Sequence, residues 1–81
     1  MKRIIYSRDA TKSLGRMQSK RRAAIVDKIE SHARGERVDI RKLKDAELWR
    51  IRVGDDRVIV DDQGMVVHVV AVGPRGGVYK E

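Results

Sequence analysis

Cysteine is absent from this 81-residue sequence, and histidine occurs only as His32 and His68. Without thiols the chain forms neither a disulfide nor a cysteine-ligated metal site, and two histidines are too few for a histidine-built zinc centre. We therefore expect no metal and no cofactor. Phenylalanine is also absent and aromatic residues make up 4% of the chain, which argues against the aromatic-studded sheet of a common class of RNA-binding domain.

Long apolar runs are missing as well. No stretch of about 18 apolar residues is available to span a membrane. No apolar stretch follows the basic start Met1-Lys2-Arg3, where a secretory signal would place one. The sequence therefore predicts a cytoplasmic protein without a membrane partner. Its length predicts one domain over residues 1–81, because domains usually run to about 100–200 residues.

Positive charge is the dominant feature of the composition. The chain has 19 Lys and Arg against 12 Asp and Glu, a net charge of +7. Residues 12–44 alone hold eleven basic and four acidic side chains, so 11 − 4 accounts for a surplus of +7 there. Such a balance predicts an anionic partner, with nucleic acid as the first candidate and an acidic protein as the second.

The first half of the chain is predicted to form a strand and two helices. Residues 3–6 suit a short strand, and Ser7 or Asp9 can cap a helix after it. Apolar residues at helical spacing predict that helix and a longer one from about Ser19 to Ala33, ended by Gly35. The inward residues are Ala10, Leu14 and Met17 in the first helix and Ile25, Val26, Ile29 and Ala33 in the second.

The second half changes to strand periodicity after a polar, irregular stretch at 36–47. Residues 48–53, 57–60 and 65–72 are predicted strands, separated by turns at 54–56 and 61–64. The last of the three is almost wholly apolar, which predicts a central strand buried on both sides. The expected fold is therefore α+β, in which an N-terminal strand, a helical hairpin and a three-stranded antiparallel meander form one sheet with the helices on one face.

Arginines on the predicted strands are the strongest functional signal. Arg50 and Arg52 are two residues apart and point to the same side of their strand, and Arg57 follows across a tight turn. Arg75 comes just after the last strand, and Tyr79 follows it. Guanidinium groups grip phosphate oxygens with paired N–H donors, although a strand arginine considered alone is more often simply solvated.

Other candidate residues have competing structural explanations. The Lys20-Arg21-Arg22 cluster suits a solvated helix face, with contact to an RNA backbone as the functional alternative. Trp49 is expected in the core. His68, within the apolar strand, is expected to be structural rather than catalytic, and His32 suits the end of its helix.

Two stretches of the sequence resemble the RelE/ParE superfamily of small toxins from toxin–antitoxin pairs. Lys42-Leu43-Lys44 followed by Leu48-Trp49-Arg50-Ile51-Arg52-Val53-Gly54-Asp55-Asp56-Arg57-Val58-Ile59-Val60 is similar to the family's "KL…yRiRvGdyRviy" pattern. Val69-Val70-Ala71-Val72-Gly73-Pro74-Arg75-Gly76-Gly77-Val78-Tyr79 is similar to its closing "v…vghR…vY" pattern. The predicted order of strands and helices is also that of the family.

The resemblance to the RelE branch implies an mRNA interferase that enters the A site of the 70S ribosome and cleaves mRNA by attack of the 2′-hydroxyl on the adjacent phosphate. It implies catalytic roles for Arg52, Arg57, Arg75 and Tyr79. RNA-binding roles are expected for Arg50, Lys20, Arg21, Arg22, Lys42 and Lys44. It also implies a cognate antitoxin that wraps the domain.

Two departures from the family pattern keep an alternative open. Arg52 stands where ribosome-dependent members often carry lysine, and arginine is a poor general base. Pro74 stands where many relatives have histidine. The alternative is a ParE-like inhibitor of DNA gyrase without nuclease activity, and a third possibility is a basic RNA-binding module without toxicity.

Overall fold

The computed structural model describes residues 1–44 and 47–74. In these ranges the chain forms two helices and five strands. In chain order they are β1 (Arg3–Tyr6), α1 (Arg8–Gly15), α2 (Ser19–Ala33), β2 (Ile40–Lys42), β3 (Trp49–Val53), β4 (Asp56–Asp62) and β5 (Val66–Pro74).

The strands form one mixed sheet in the order β1-β5-β4-β3-β2. β1 runs parallel to β5, whereas the β2–β3, β3–β4 and β4–β5 pairs are antiparallel. Apolar side chains of both helices and of β3, β4 and β5 belong to one core cluster, so the helices cover one face of the sheet. The predicted α+β class and the order of strand, helical pair and antiparallel meander are confirmed.

The prediction of an irregular segment over residues 36–47 was wrong, because β2 lies within it. Ile40 pairs with Ile51 of β3, and Lys42 pairs with Trp49. A three-residue strand is too short to show an alternating pattern, and the hydrogen bonds that define it come from β3. The sheet therefore has one strand more than the sequence predicted.

One boundary and one burial pattern also differ from the prediction. β4 continues through Asp62, so the turn before β5 begins later than residue 61. The last strand was predicted to be buried on both sides, but its burial alternates: Val67 and Val69 are buried, and His68 between them is half-buried. The helices cover only one face of the sheet, so the side chains on the other face keep part of their exposure.

Ser7 links α1 to the central strand. Its hydroxyl oxygen accepts a hydrogen bond from the Ala10 N–H at 3.0 Å, which caps the helix, and its O–H donates to the Val70 carbonyl at 2.7 Å. Val70 lies in a β-bulge, because Ile59 pairs with Ala71 while the next residue of β4 pairs with Val69. The serine therefore satisfies a carbonyl at the point where the ladder is interrupted.

The end of α2 follows the glycine signal in the sequence. Gly35 has φ of 81°, a left-handed conformation that glycine adopts without steric cost. The Gly35 N–H donates to the His32 carbonyl, and the Glu36 N–H donates to the Ser31 carbonyl. These two bonds form a Schellman motif, which ends the helix and turns the chain toward β2. Neither described helix has the length and apolar character needed to cross a bilayer.

Asp62 ties the C-terminal end of β4 to the helical layer. Its carboxylate accepts hydrogen bonds from Lys2 Nζ at 2.8 Å, His32 Nε2 at 2.8 Å and the Gly64 N–H at 2.9 Å. Burial acts to raise the pKa of this carboxyl, but the bonds from Lys2, Gly64 and His32 outweigh it and lower the pKa below its usual value. The ionised form of Asp62 therefore stabilises the folded chain.

We predict that Asp62→Asn lowers the free energy of unfolding by about 1–3 kcal/mol at pH 7, because it weakens three hydrogen bonds to a carboxylate. The native pKa lies below the unfolded value of about 3.9, so the stabilisation is complete above that pH and is lost as the pH falls below it. Urea unfolding at pH 7 and pH 3 measures the difference, which should shrink at the lower pH.

Asp61→Asn is the matched control, because the Asp61 carboxylate accepts an exposed hydrogen bond from Gln63 Nε2 at 3.0 Å. It should change stability little at either pH. An equal effect of the two substitutions at pH 7 would contradict the anchoring role of Asp62.

Candidate functional site

The face of the sheet opposite the helices carries four arginines on three neighbouring strands. Arg41 of β2 pairs directly with Arg50 of β3, and Arg52 of β3 pairs directly with Arg57 of β4. Arg50 and Arg52 are two residues apart, so their side chains leave the same face of the sheet. We call this surface, defined by Arg41, Arg50, Arg52 and Arg57, the arginine face.

Burial on the arginine face is graded. Arg41 and Arg52 are exposed, whereas Arg50 and Arg57 are half-buried. Ile59 lies between Arg50 and Ala71 in the neighbouring strands and is 1% exposed. On this face, apolar residues therefore lie beside a group of arginines. The arginines are on β2, β3 and β4.

Both cross-strand arginine pairs place like charges opposite each other, an arrangement that disfavours strand pairing. Among residues 1–44 and 47–74, two exposed carboxylates border the region: Asp39 precedes β2, where its carbonyl accepts from the Arg52 N–H at 2.9 Å, and Asp55 lies in the β3–β4 turn. Guanidinium groups bind anions through paired N–H donors.

A pocket of about 90 Å³ opens between the strands at this position. It is lined by Arg50, Arg52, Gly54, Asp55, Asp56 and Arg57. The volume suits a small anionic group rather than a purine or pyrimidine ring. Three of the six lining residues are arginines, so the pocket can surround a phosphate with hydrogen-bond donors that keep their charge.

An ion pair from the helical layer supports the floor of this pocket. Arg21 of α2 donates to the Asp56 carboxylate through Nε at 2.7 Å and through a second guanidinium nitrogen, so the contact is bidentate. Asp56 is 6% exposed and lies opposite Val53 of β3 and Pro74 of β5. The pair fixes the start of β4 directly before Arg57.

Arg21 and Arg22, which the sequence suggested as RNA contacts, both form hydrogen bonds within the chain, and Arg21 is exposed. Arg22 donates to the Leu14 carbonyl at 2.7 Å and to the Met17 carbonyl at 2.8 Å, which joins the end of α1 to α2. Lys20 is exposed on the same helix. RNA contact by Lys20, Arg21 and Arg22 remains a prediction.

The remaining predicted residues divide into two groups. Lys42 and Lys44 are exposed, and Lys42 Nζ lies 3.6 Å from a Glu47 carboxylate oxygen. Because Lys42 pairs with Trp49, it leaves β2 on the side opposite the arginine face. Arg75 and Tyr79 lie outside the described residues, so their proposed roles depend on the sequence pattern.

The structure also adds two residues that the sequence interpretation missed. Arg41 joins the arginine face only through its register with Arg50, and a strand of three residues gave no signal for that register. Asp56 was assigned to the turn at 54–56. Its bond to Arg21 spans 35 positions of the chain, a separation that no local pattern reveals.

No protein-family model and no curated protein matches this sequence. Solved structures do match over nearly the whole chain. The toxin of a RelB-RelE complex from Methanococcus jannaschii shares 23% identity over 88% of this chain and 90% of that one, with a TM-score of 0.73.

Two further complexes give the same result. RelE of a RelE-RelB complex from Pyrococcus horikoshii shares 22% identity over 94% of this chain and 97% of that chain, with a TM-score of 0.72. The RelBE2 complex from Mycobacterium tuberculosis shares 22% identity over 91% of both chains, with a TM-score of 0.76. This chain therefore has the RelE toxin fold, which was expected from the sequence.

We predict that tripolyphosphate stabilises the folded chain through the pocket. A ligand at ten times its dissociation constant adds roughly 1.4 kcal/mol to the free energy of unfolding, so Tm should rise by several degrees. Arg57→Gln should lose most of this rise, because Arg57 lines the pocket. Thermal unfolding measured by circular dichroism in tripolyphosphate and in sodium chloride of equal ionic strength separates binding from charge screening.

Arg3→Gln serves as the control, because Arg3 is an exposed strand arginine on β1, at the opposite edge of the sheet. It should keep the full rise in Tm. If Arg57→Gln keeps it as well, the pocket is not an anion site.

Proposed function

We propose that this chain is the toxin of a type II toxin–antitoxin system and acts as a ribosome-dependent mRNA endoribonuclease, inhibiting translation by cleaving mRNA in the ribosomal A site. The observation that carries the proposal is the Arg52–Arg57 pair beside a phosphate-sized pocket. The pair occurs on a fold shared with RelE toxins of solved RelB-RelE complexes.

The proposed reaction needs positive charge more than it needs a protein nucleophile. The 2′-oxygen of the substrate forms a bond to the adjacent phosphorus, and the bond from phosphorus to the 5′-oxygen breaks, leaving a 2′,3′-cyclic phosphate. The 2′-hydroxyl loses its proton and the departing 5′-oxygen gains one. Negative charge gathers on the phosphoryl oxygens between these events, and preorganised guanidinium groups stabilise it.

We assign Arg57 to stabilising the charge on the phosphoryl oxygens. It lines the pocket and directly follows Asp56, which Arg21 holds. Arg52 lies opposite and is assigned to the same phosphate. The sequence pattern assigns Arg75 to the phosphoryl oxygens as well, and assigns Tyr79 to stacking on a base or orienting the 2′-hydroxyl.

Proton transfer is the step for which the described residues offer least. Arginine hardly ever loses its proton, and the Asp56 carboxylate is held by Arg21. We therefore propose that orientation of the mRNA on the ribosome and charge stabilisation supply most of the rate enhancement.

The proposed partner of the free toxin is a cognate antitoxin. A net charge of +7 and the exposed arginines favour an acidic, amphipathic segment that folds onto this domain. Such a segment would compete with RNA for the arginine face and so suppress toxicity.

Primer extension on cellular mRNA after induction tests the proposed activity. New 5′ ends should appear within translated codons. Arg57→Ala should reduce cleavage by about 10²–10³-fold, the loss typical of removing one donor to a transition-state oxyanion. Arg75→Ala and Tyr79→Ala should also reduce toxicity, whereas Arg3→Ala should cleave like the unmodified chain.

An absence of new 5′ ends in translated codons would overturn the nuclease proposal. If this protein at micromolar concentration then inhibits DNA supercoiling by purified gyrase, the result supports the ParE-like alternative. Arg52 and Pro74, the two departures from the family pattern, favour that alternative. If growth continues normally during expression, the remaining candidate is an RNA-binding module without toxicity.

A further inference from the structure

Arg21 of α2 belongs to the helical layer, but its partner Asp56 is one of the residues that line the pocket. Arg21 itself is not among the described residues of the lining. We infer that Arg21 is a positioning residue for the anion site: it neutralises the buried Asp56 carboxylate and so prevents that charge from repelling a bound phosphate. The inference rests on the proposed phosphate site and adds to it a residue from the other side of the sheet.

Residues of both charges line the pocket. Arg50, Arg52 and Arg57 carry three positive charges, and Asp55 and Asp56 carry two negative charges. The described lining therefore has an excess of one positive charge, which is small for a site that binds a multiply charged phosphate. Pairing Asp56 with a cation from outside the lining raises this excess from one to two.

Asp56 is the carboxylate whose charge needs such a partner. Asp55 is exposed in the β3–β4 turn, where water and salt screen its charge. Asp56 is buried, so its charge is screened much less and is costly without a counter-charge. Arg57 is the next residue of the chain, so the proposed phosphate lies close to this carboxylate.

The counter-charge reaches Asp56 from the helical side of the sheet. Asp56 and Val58 are two residues apart on β4, and Val58 belongs to the core under the helices. The Asp56 side chain therefore leaves the helix-covered face, whereas that of Arg57 leaves the arginine face. Both carboxylate oxygens accept from Arg21, one from Nε at 2.7 Å and the other from a second guanidinium nitrogen. A ligand on the arginine face thus does not compete for this cation.

Substitution of each partner separates neutralisation from mechanical support of β4, because the two changes break the same ion pair but leave opposite charges. Arg21→Gln leaves a buried negative charge beside the pocket, so tripolyphosphate should bind about tenfold more weakly. Asp56→Asn removes that charge and should bind tripolyphosphate more tightly than the unmodified chain. The double substitution Arg21→Gln/Asp56→Asn should regain most of the affinity that Arg21→Gln loses. Isothermal titration calorimetry at constant ionic strength measures each Kd.

Arg34→Gln is the matched control for the loss of one positive charge. The side chains of Arg34 and Arg21 are 40% and 45% exposed. Arg34 also holds a carboxylate through two guanidinium nitrogens, which donate to Glu36 at 2.8 and 3.2 Å. Glu36 is not among the described residues that line the pocket, so Arg34→Gln should bind tripolyphosphate like the unmodified chain.

Equally weak binding by Arg21→Gln and by the double variant would overturn the inference, because mechanical support alone predicts no regain. Equal Kd values for Arg21→Gln and Arg34→Gln, or no binding by the unmodified chain, would overturn it as well. Far-ultraviolet circular dichroism verifies that each variant is folded. If Arg21→Gln does not fold, Asp56→Asn decides: neutralisation predicts tighter binding than in the unmodified chain, and mechanical support predicts weaker binding.

The result is separable from the proposed function, because tripolyphosphate has no 2′-hydroxyl and its binding does not report cleavage. Regained affinity in the double variant without new mRNA ends in cells would retain the role of Arg21 and reject the nuclease. Cleavage of mRNA without regained affinity would retain the nuclease and reject the role of Arg21.

Discussion

The two-residue turn at Gly54 and Asp55 determines the register on which the arginine face depends. Val53 pairs with Asp56 across it, and Gly54 has φ of 60°, a conformation that glycine allows in tight hairpins. The next pair outward is Arg52 with Arg57. A slip of one residue would move one strand's arginines to the helix-covered face, so one turn sets both the core and the candidate site.

The two faces of the sheet have different roles but are joined at one point. On the helical side, Ile51, Val58 and Val60 are fully buried and hold the strands against α1 and α2. Asp56 is buried beside this core, and Arg21 pairs with it from α2. Because Asp56 directly precedes Arg57, the helical layer positions a side chain that lies on the opposite face.

Much of this arrangement was predictable because its signals are local. Residues two apart share a face of a strand, so Arg50 and Arg52 were predicted together, and the tight turn placed Arg57 beside them. The caps of α1 and α2 also follow from single residues, Ser7 and Gly35. These features need only the periodicity of a strand or the chemistry of one side chain.

The features that were not predictable depend on distant partners. β2 is defined by pairing with β3, and the bulge at Val70 lies in a run of apolar residues without alternation. The hydrogen bonds of Arg22 were missed for the same reason, since their acceptors are the carbonyls of Leu14 and Met17, earlier in the chain.

If anions bind to the face of the sheet without helices, a 2′-O-methyl RNA octanucleotide, whose blocked 2′-oxygens prevent cleavage, should perturb the arginines of that face. NMR titration through the arginine Nε–Hε signals measures this. We expect the signals of Arg41, Arg50, Arg52 and Arg57 to shift, while that of Arg21 stays in place. Shifts confined to Arg21 and Arg22 of α2 would instead place the anion on the helical layer.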